Sequence, residues 1–252
     1  PTALATTIVT KVNEGGAFVS KKGDLMFMTR CPEAKNKQLK CQLYVSKKQG
    51  PSWAEPTLIP FCIDTVSFRH AVLSPDGNTM YFDSRLQGGY GGNDIWMSTY
   101  DAKAKAWGQP VNCGPQVNTA GIEGYPYMSE DGKTLYFSSD MPGSLGGIDI
   151  WKVSVNADGT FGTPENLGAK VNTEGNESFP FIADDNTTLY YASSGKPGLG
   201  GLDVFSIDLS KGAEAVNMGK PVNTEKDDFG FTFNKAKNLG FFASNRNGND
   251  DI

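Results

Sequence analysis

The sequence predicts an all-β protein, a five-bladed β-propeller built of four-stranded antiparallel blades. Three observations predict this fold. A motif of nine residues recurs five times at nearly constant intervals, two further motifs recur in phase with it, and the segments between turns are rich in residues that favour strands. Repeats of this length, made of strands without helical runs, are typical of propeller blades.

The nine-residue motif is a polar turn followed by an apolar strand. It reads SPDGNTMYF at residues 74–82 and SEDGKTLYF at residues 129–137, with related copies at residues 20–28, 183–191 and 234–242. Successive copies begin 54, 55, 54 and 51 residues apart. The last copy, NKAKNLGFF, is the weakest. So constant an interval indicates that one supersecondary unit is repeated five times.

Two further motifs keep the same phase. The first has the form NDIW or IDIW, and its copies lie at residues 42–45, 93–96, 148–151, 202–205 and 250–252. The second is the tripeptide VNT, which lies at residues 117–119, 171–173 and 222–224 and is echoed by VNE at residues 12–14. Three motifs that stay in step through the chain support the same five units.

The third unit shows how one blade is organised. Residues 123–151 contain YPYM, the turn SEDGKT, the run LYFSS, a glycine-rich loop and the run DIW. Aromatic and β-branched residues favour a pleated sheet, and the DG and GG pairs mark tight reversals. We therefore expect an antiparallel meander, with an outer fourth strand that leads into the VNT link.

The two ends of the chain are expected to meet in the last blade. The blades are predicted at residues 15–63, 64–118, 119–172, 173–223, and 224–252 together with 1–13. Residues 5–13 align with residues 166–172, so they should form the outer strand of the last blade and close the ring. Closure removes open sheet edges. The last unit reaches only the start of its third strand, and we expect residues 1–252 to be a single domain cut from a larger protein.

Composition narrows the possible partners. The chain has 252 residues and a net charge of −5, with acidic and basic residues interleaved. The lack of a basic stripe argues against a nucleic-acid partner. No apolar run approaches the roughly 18 residues of a membrane span, and no segment has the pattern of a secretory signal. We expect no direct membrane span in this segment.

Four cysteines allow disulfides without requiring them. Cys31 ends the second strand of the first unit and Cys41 begins the third, so a hairpin would bring them close together. Cys62 and Cys113 lie in the links that leave the first and second units, and their pairing is less certain. The alternative is that the cysteines are buried free thiols. A Cys31–Cys41 disulfide would indicate an oxidising compartment.

An aspartate recurs just before the third strand of four units, at Asp94, Asp149, Asp203 and Asp251. A residue that occurs once per blade is expected to serve the blade, here by accepting backbone N–H bonds from the preceding loop. GGYGGND at residues 88–94 resembles a calcium nonapeptide, but its carboxylate falls one position late and tandem copies are absent. We predict no catalytic residue, no metal site and no cofactor.

A second set of acidic residues precedes the innermost strand of three successive blades. The set comprises Glu123, Glu177 and Asp228. Inner strands line the channel of a propeller, so these side chains could form an acidic arc at its mouth that binds a cation or a basic peptide. The alternative is local pairing with the VNT links or with solvent. The two interpretations make different predictions about burial.

His70 and Arg69 begin the inner strand of the second blade and are candidates for the same channel mouth. His70 is the single histidine, so it cannot build a multi-histidine metal centre, and a channel-lining packing role is the alternative. Tyr90 and Trp107 lie in predicted loops and could anchor a partner. The matching positions of Trp53, Trp107 and Phe161 before the outer strands favour packing instead.

The repeats resemble the WD-like propeller repeats of the TolB type, through the motifs SPDGNTMYF, SEDGKTLYFSS and GGxDIW. The longer form, which adds the xxLGxxVNT link, is most similar to the propellers of multidomain OmpA-family envelope proteins of Bacteroidota, including type IX secretion components. There the propeller lies between a helical repeat domain and regulatory-like and peptidoglycan-binding domains. The first unit departs most, because SKKGDLMFM lacks the acidic turn residue and QLYV replaces DIW.

This resemblance implies a non-catalytic protein–protein interaction scaffold, periplasmic and associated with the outer membrane. The implied partners are other envelope or secretion-system proteins, with a peptide in the central channel as one mode of binding. Peptidoglycan would be bound only through a separate domain. The resemblance transfers no binding residue, because the matching positions are those that build blades.

The alternative function is a five-bladed carbohydrate-active enzyme or a glycan-binding propeller. Glycoside hydrolysis needs two carboxyl groups about 5–5.5 Å apart for retention or about 6.5–9.5 Å apart for inversion. The carboxylates of this sequence instead repeat from blade to blade, which favours an architectural role for them.

Overall fold

Strands and turns, without a helix, make up the described part of the chain. The structure is a computed structural model that describes residue 4 and residues 8–34, 37–38, 40–234 and 239–252. Twenty-two strands are found in these residues. No candidate membrane-spanning helix occurs among them. The all-β class predicted by the sequence is confirmed.

Four sheets of four or more strands form four blades, each an antiparallel meander. The first blade comprises β1 (Asn13–Val19), β2 (Leu25–Cys31), β5 (Gln42–Gln49), β6 (Ser52–Trp53) and β7 (Thr57–Leu58), with the small hairpin β3 (Glu33–Ala34) and β4 (Lys37–Gln38) beside it. The second comprises β8 (Phe68–Leu73), β9 (Thr79–Ser84), β10 (Asp94–Asp101), β11 (Ala106–Trp107) and β12 (Val111–Asn112).

The third and fourth blades have four strands each. The third comprises β13 (Glu123–Met128), β14 (Thr134–Ser139), β15 (Asp149–Ser154) and β16 (Glu165–Asn166). The fourth comprises β17 (Glu177–Ile182), β18 (Thr188–Ser193), β19 (Asp203–Asp208) and β20 (Val216–Asn217). The sequence repeat fixes their register: the aspartate of the DIW-type motif pairs with the serine that ends the second strand, as Asp94 with Ser84 and Asp149 with Ser139.

The fifth unit differs from the prediction. Among the described residues its sheet has two strands, β21 (Asp228–Asn234) and β22 (Leu239–Ser244), so the described structure contains four blades, of four or five strands each, and not five blades. A single bridge, Ser244 to Asp251, follows β22. The physical reason is that only Asp251 and Ile252 occupy the place where the other units have a third strand. Of the predicted closing strand, residues 1–3 and 5–7 lie outside the described residues.

One backbone hydrogen bond recurs at every junction between neighbouring units. The amide near the start of each inner strand donates to a carbonyl that precedes the third strand of the unit before it. The bonds are Phe68 N to Cys41 O (2.9 Å), Glu123 N to Asn93 O (2.7 Å), Glu177 N to Ile148 O (2.7 Å), Asp228 N to Leu202 O (2.8 Å) and Glu14 N to Asp250 O (2.8 Å). The last bond joins the fifth unit to the first blade.

The hydrophobic core lies between neighbouring units and not within them, as expected for blades packed face to face. Five apolar clusters occupy the five junctions. Their members include Phe27 with Phe82, Tyr81 with Phe137, Tyr136 with Tyr191, Ala192 with Phe229, and Met28 with Ile252. The units therefore follow one another around a common axis in a propeller arrangement.

Candidate functional site

The inner strands that line the channel share a β-bulge. The register shifts in β1, β8, β13, β17 and β21 at the same place, and one residue of each bulge has a positive φ. We call these the bulge residues: Gly16 (59°), His70 (53°), Tyr125 (53°), Phe179 (52°) and Gly230 (62°). Glycine adopts such a φ without strain, whereas a bulky residue does so at a cost of roughly 1–3 kcal/mol. Three blades therefore hold an aromatic ring in a strained backbone conformation.

The three rings meet in the middle of the channel. The centroids are 4.4 Å apart for His70 and Tyr125, 4.2 Å for Tyr125 and Phe179, and 5.2 Å for His70 and Phe179. A Cβ on Gly16 would lie 2.8 Å from His70 Cδ2, so glycine is required there for the ring to fit. Beside the rings the inner strands leave a mainly apolar cavity of about 40 Å³. That volume holds a water molecule or two.

Asp83, on β9, is the centre of a polar cluster on the channel wall of the second blade. Its side chain is fully buried. The carboxylate accepts four hydrogen bonds, from Arg69 Nε (3.1 Å), His70 Nδ1 (2.5 Å), Asn93 Nδ2 (3.0 Å) and Tyr125 N (3.4 Å). Arg69 also donates through Nη2 to Asn93 Oδ1 at 3.2 Å. We call Arg69, His70, Asp83 and Asn93 the second-blade cluster.

The cluster keeps Asp83 ionised. Burial opposes ionisation, but the neighbouring charges of His70 and Arg69 outweigh it and lower the pKa of the Asp83 carboxyl. A carboxylate only accepts, so the His70 nitrogen that faces Asp83, Nδ1, carries a hydrogen and donates it. This arrangement orients an imidazole and a guanidinium. It does not provide the protonated carboxylic acid that a glycosidase needs as general acid.

The predicted acidic arc is not an open site. Glu123, Glu177 and Asp228 have no exposed surface, and each is bound to its own link. Glu177 accepts from Thr173 N (2.7 Å), Thr173 Oγ1 (2.7 Å) and Ser193 Oγ (2.6 Å). Such carboxylates are already satisfied and are shielded from a cation or peptide at the mouth. Their contacts are those of the alternative interpretation, in which each carboxylate pairs with its own VNT link.

The same contact recurs at every link. Thr119 donates to Glu123 through N and Oγ1 (2.8 and 2.7 Å), and Thr224 does so to Asp228, which also pairs with Arg246. Burial raises the pKa of Glu123. We call Glu14, Glu123, Glu177 and Asp228 the link carboxylates.

Glu14 corrects the sequence alignment of the first link. Its carboxylate accepts from Thr10 N (3.1 Å) and Thr10 Oγ1 (2.5 Å), and burial raises its pKa. Thr10 therefore takes the place of the threonine of VNT, so the first link is residues 8–10 and not the VNE at residues 12–14. The buried Ile8 occupies the position of the buried Val117.

The repeated aspartates hold the loops that precede the third strands. Asp94 accepts from Tyr90 N (2.6 Å), Gly91 N (3.0 Å) and Asn112 Nδ2 (2.7 Å), and Asp149 accepts from Leu145 N (2.7 Å). Asp203 makes the corresponding contacts, whereas Asp251 lies in the bridge to Ser244. In Asp149 both bonds reach Oδ2, from Leu145 N and Asn166 Nδ2, whereas Oδ1 is buried and has no hydrogen-bond partner among the described residues. Among the described residues no cluster of three metal-ligating side chains occurs.

The sequence analysis treated the asparagine of VNT only as a marker, but it has a structural role. Asn118 accepts from Ile95 N (2.8 Å) and donates to Ile95 O (2.9 Å), and Asn172 does the same with Ile150. Asn223 bonds Val204 in the same way. The link thus pins the third strand of its own blade.

The four cysteines form one disulfide and leave two free thiols. A disulfide joins Cys31 and Cys41 in the first blade. Cys62 and Cys113 are buried free thiols. Burial raises the pKa of both thiols, that of Cys62 to about 11. Neither is suited to thiolate chemistry at neutral pH.

Three loop tips on the face beside the inner-strand starts expose an apolar residue. Tyr90, Leu145 and Leu199 occupy the same loop position in the second, third and fourth blades and are 52%, 49% and 47% exposed. The backbone N–H of each donates to the repeated aspartate, so the tips are held in place. We call them the tip residues. Trp107 differs from Tyr90, because its ring is half-buried against Tyr100 with centroids 5.2 Å apart.

Blades of antiparallel strands around a channel define the protein as a β-propeller, and solved propellers of similar arrangement include a TolB. A putative TolB from Agrobacterium tumefaciens has a TM-score of 0.61 at 15% identity, over 94% of this chain and 72% of that one. No protein-family model and no curated protein sequence matches the chain.

Two glycoside hydrolases share the fold to a similar degree. A GH43 β-1,3-galactosidase with galactodeoxynojirimycin has a TM-score of 0.60 at 11% identity, over 96% of this chain and 90% of that one. An endo-arabinase from Bacteroides thetaiotaomicron has a TM-score of 0.58 at 15% identity, over 100% and 95%. The sequence-based expectation that the protein is not an enzyme is therefore contradicted, because enzymes share this propeller fold. At these identities the comparisons show the fold alone.

Proposed function

We propose that the protein is the propeller module of a bacterial cell-envelope assembly and binds another protein of that assembly with the face that carries the tip residues. The repeat motifs support this through their similarity to OmpA-family envelope propellers, including type IX secretion components. The corresponding location is the periplasm, at the outer membrane. A disulfide between Cys31 and Cys41 suits such an oxidising compartment.

The observation that carries the proposal is the arc of tip residues. Three successive blades present a half-exposed apolar side chain at one loop position, on backbone held by buried carboxylates. Scattered exposed apolar residues are ordinary, but a repeated set on one face is typical of an interaction surface. The fixed backbone means that little conformational entropy is lost when the tips are covered. A protein surface is therefore the ligand that this face suits.

Replacing the three tip residues together is expected to abolish partner capture. The variant Tyr90→Ser, Leu145→Ser, Leu199→Ser removes the apolar contacts while keeping the backbone N–H bonds, so the blades should remain intact. Crosslinking pull-down from envelope fractions, with the captured protein quantified by mass spectrometry, measures the effect. Interface anchors contribute about 1–2 kcal/mol each, so capture should fall at least about a hundred-fold.

Matched controls are available on the outer strands. Val111 and Val216 are 56% and 63% exposed and lie on β12 and β20, outside the loops that carry the tip residues. Val111→Ser with Val216→Ser removes comparable exposed apolar surface and should leave capture unchanged. Equal loss in both variants, or no loss in the tip variant, would rule out the tip face as the binding surface.

We further propose that the fifth sheet is the inner half of a fifth blade, with the N-terminal segment beside its third strand. The supporting contact is the hydrogen bond from Leu4 N to Ile252 O at 3.2 Å, next to the cluster that holds Ile8 and Ile252. Neighbouring antiparallel strands place paired Cα atoms about 4.5–5.5 Å apart, within the range that a disulfide spans.

Cysteines placed at this contact are expected to crosslink. Leu4→Cys with Ile252→Cys should form an intramolecular disulfide on mild oxidation, identified by peptide mass mapping. The control pair, Leu4→Cys with Leu58→Cys, uses an exposed residue on β7 of the first blade and should not crosslink. Failure of the first pair to crosslink in the folded protein would contradict the predicted ring closure.

A further inference from the structure

The departures of the second blade from the repeat lie together. The positions equivalent to Asp83 in the other units are held by Thr29, Ser138, Ala192 and Ala243, as the strand register shows. Those equivalent to Arg69 are held by Gly15, Gly124, Ser178 and Phe229. Residues that build blades recur from unit to unit. Arg69 and Asp83 do not recur, and they bond to each other. Coupled departures from a repeat indicate a site rather than architecture.

Arg69 is the member of the second-blade cluster that reaches solvent. Its side chain is 33% exposed, while Asp83 is buried beneath it. A guanidinium has five N–H donors, and the structure gives Arg69 two acceptors among the described residues, Asp83 through Nε and Asn93 through Nη2. The remaining donors, both hydrogens of Nη1 among them, are available at the mouth of the channel.

The two buried partners fix the guanidinium in place before any ligand arrives. Asp83 cannot move freely, because it also accepts from His70 and from the backbone N–H of Tyr125. Asn93 is held by a bond from its Nδ2 to Glu123 O at 2.7 Å. A donor pair that is already oriented loses little entropy on binding. The planar fork of arginine matches the two oxygens of a carboxylate.

We propose that Arg69 binds a carboxylate group of the protein partner at the channel mouth, with Asp83 and Asn93 as positioning residues. The proposal deepens the protein-binding function proposed above and rests on it for the source of the carboxylate. A phosphate dianion would bring two negative charges close to the Asp83 carboxylate, so the site suits a singly charged carboxylate better. That group is either the partner's terminal carboxylate or an Asp or Glu side chain, which share this chemistry.

The test uses short acetylated peptides of defined charge as probes. Acetyl-Gly-Gly with a free C-terminus is compared with its amide, and acetyl-Gly-Asp-Gly-amide is compared with acetyl-Gly-Asn-Gly-amide. Binding is followed by the NMR signal of the Arg69 Nε–H group in residues 1–252. At least one carboxylate peptide should shift the signal saturably while its amide counterpart does not, and the pair that responds identifies the source. Equal responses to acids and amides would overturn the proposal.

Variants separate the site from general electrostatics. Arg69→Gln should weaken binding of the responding peptide at least about ten-fold, because a charge-assisted hydrogen-bond pair is lost. Arg85→Gln, at an exposed arginine directly after β9, should leave it unchanged. Asp83→Asn should weaken binding while the spectrum remains that of a folded protein. Unchanged binding to Arg69→Gln would contradict the assignment, whereas continued dependence of partner capture on the tip residues would leave the proposed function standing.

Discussion

Asp83→Ala is expected to lower the free energy of unfolding by about 3–5 kcal/mol, the cost of breaking a buried ion pair by removing one partner. The change leaves three side-chain donors, from Arg69, His70 and Asn93, without their acceptor. Arg69 reaches water and can be hydrated in part, which places the expected value towards the lower end. Urea unfolding followed by tryptophan fluorescence measures it.

The matched control is Ser138→Ala, at the equivalent position of β14 in the third blade. Ser138 Oγ is buried and has no hydrogen-bond partner among the described residues. Removing it should change stability by less than about 0.5 kcal/mol or raise it slightly, since an unsatisfied buried hydroxyl is lost. A similar loss in both variants would show that the site is sensitive to any truncation and that the charge of Asp83 is unimportant.

The contribution of Asp83 should disappear in acid. Its pKa is lowered in the folded state from an ordinary value of 3.8, so the carboxylate stabilises the fold above that value. The stabilisation is lost as the pH falls through the folded pKa. The difference in unfolding free energy between the parent protein and Asp83→Ala should therefore be largest near neutrality and shrink below pH 3.8. A constant difference would contradict the charge argument.

The blades were predictable because their signals recur. The turn motif, the DIW-type motif and the VNT link each occur at one structural position, so three weak local signals combine into one register. The fifth unit was predicted less well, because its copy NKAKNLGFF is weak and only Asp251 and Ile252 occupy the place of its third strand. A strand forms only where a partner segment is present to pair with it.

The second-blade cluster was only partly predictable. Arg69 and His70 were chosen for their place at the channel, but Asp83 was missed. Arg69 and His70 lie on β8, whereas Asp83 lies on β9. Only the pairing of Arg69 with Asp83 across these two strands brings the three residues together. A usable signal was present, because Asp83 is charged where the other units have a small residue. The expectation that the protein is not an enzyme rested on a resemblance between propellers, and enzymes share that fold.

Three of the four link carboxylates were found from the sequence, with a channel-mouth site and local pairing with the links left as alternatives. A threonine lies four residues before each of them, at Thr10, Thr119, Thr173 and Thr224. That spacing, which the structure shows as paired bonds to the threonine N–H and hydroxyl, could have identified the contact and located the first link. A buried carboxylate needs hydrogen-bond donors, and the link supplies them. The carboxylates are therefore bound to the link and are not exposed to a ligand.

Glu177→Ala is accordingly expected to destabilise the protein by about 3–4 kcal/mol. The change leaves Thr173 N, Thr173 Oγ1 and Ser193 Oγ without their acceptor, at about 1–3 kcal/mol for each group that finds neither another partner nor water. Ser193 is buried and Thr173 is half-buried. Glu177→Gln keeps one carbonyl oxygen as acceptor and should cost less, about 1–2 kcal/mol. Urea unfolding gives both values, and amide hydrogen exchange at Thr173 should become faster in the alanine variant.

Glu174→Ala provides the comparison, because Glu174 is exposed, lies three residues earlier in the same link and carries the same charge. Its removal should change the free energy of unfolding by less than about 0.5 kcal/mol. If Glu177→Ala were equally mild, the carboxylate would not hold the link. An ion-binding role would be indicated instead if calcium raised the stability of the parent protein and not that of Glu177→Ala, since a ligand stabilises only the state that binds it. The buried, fully bonded geometry of Glu177 predicts that calcium leaves both unchanged.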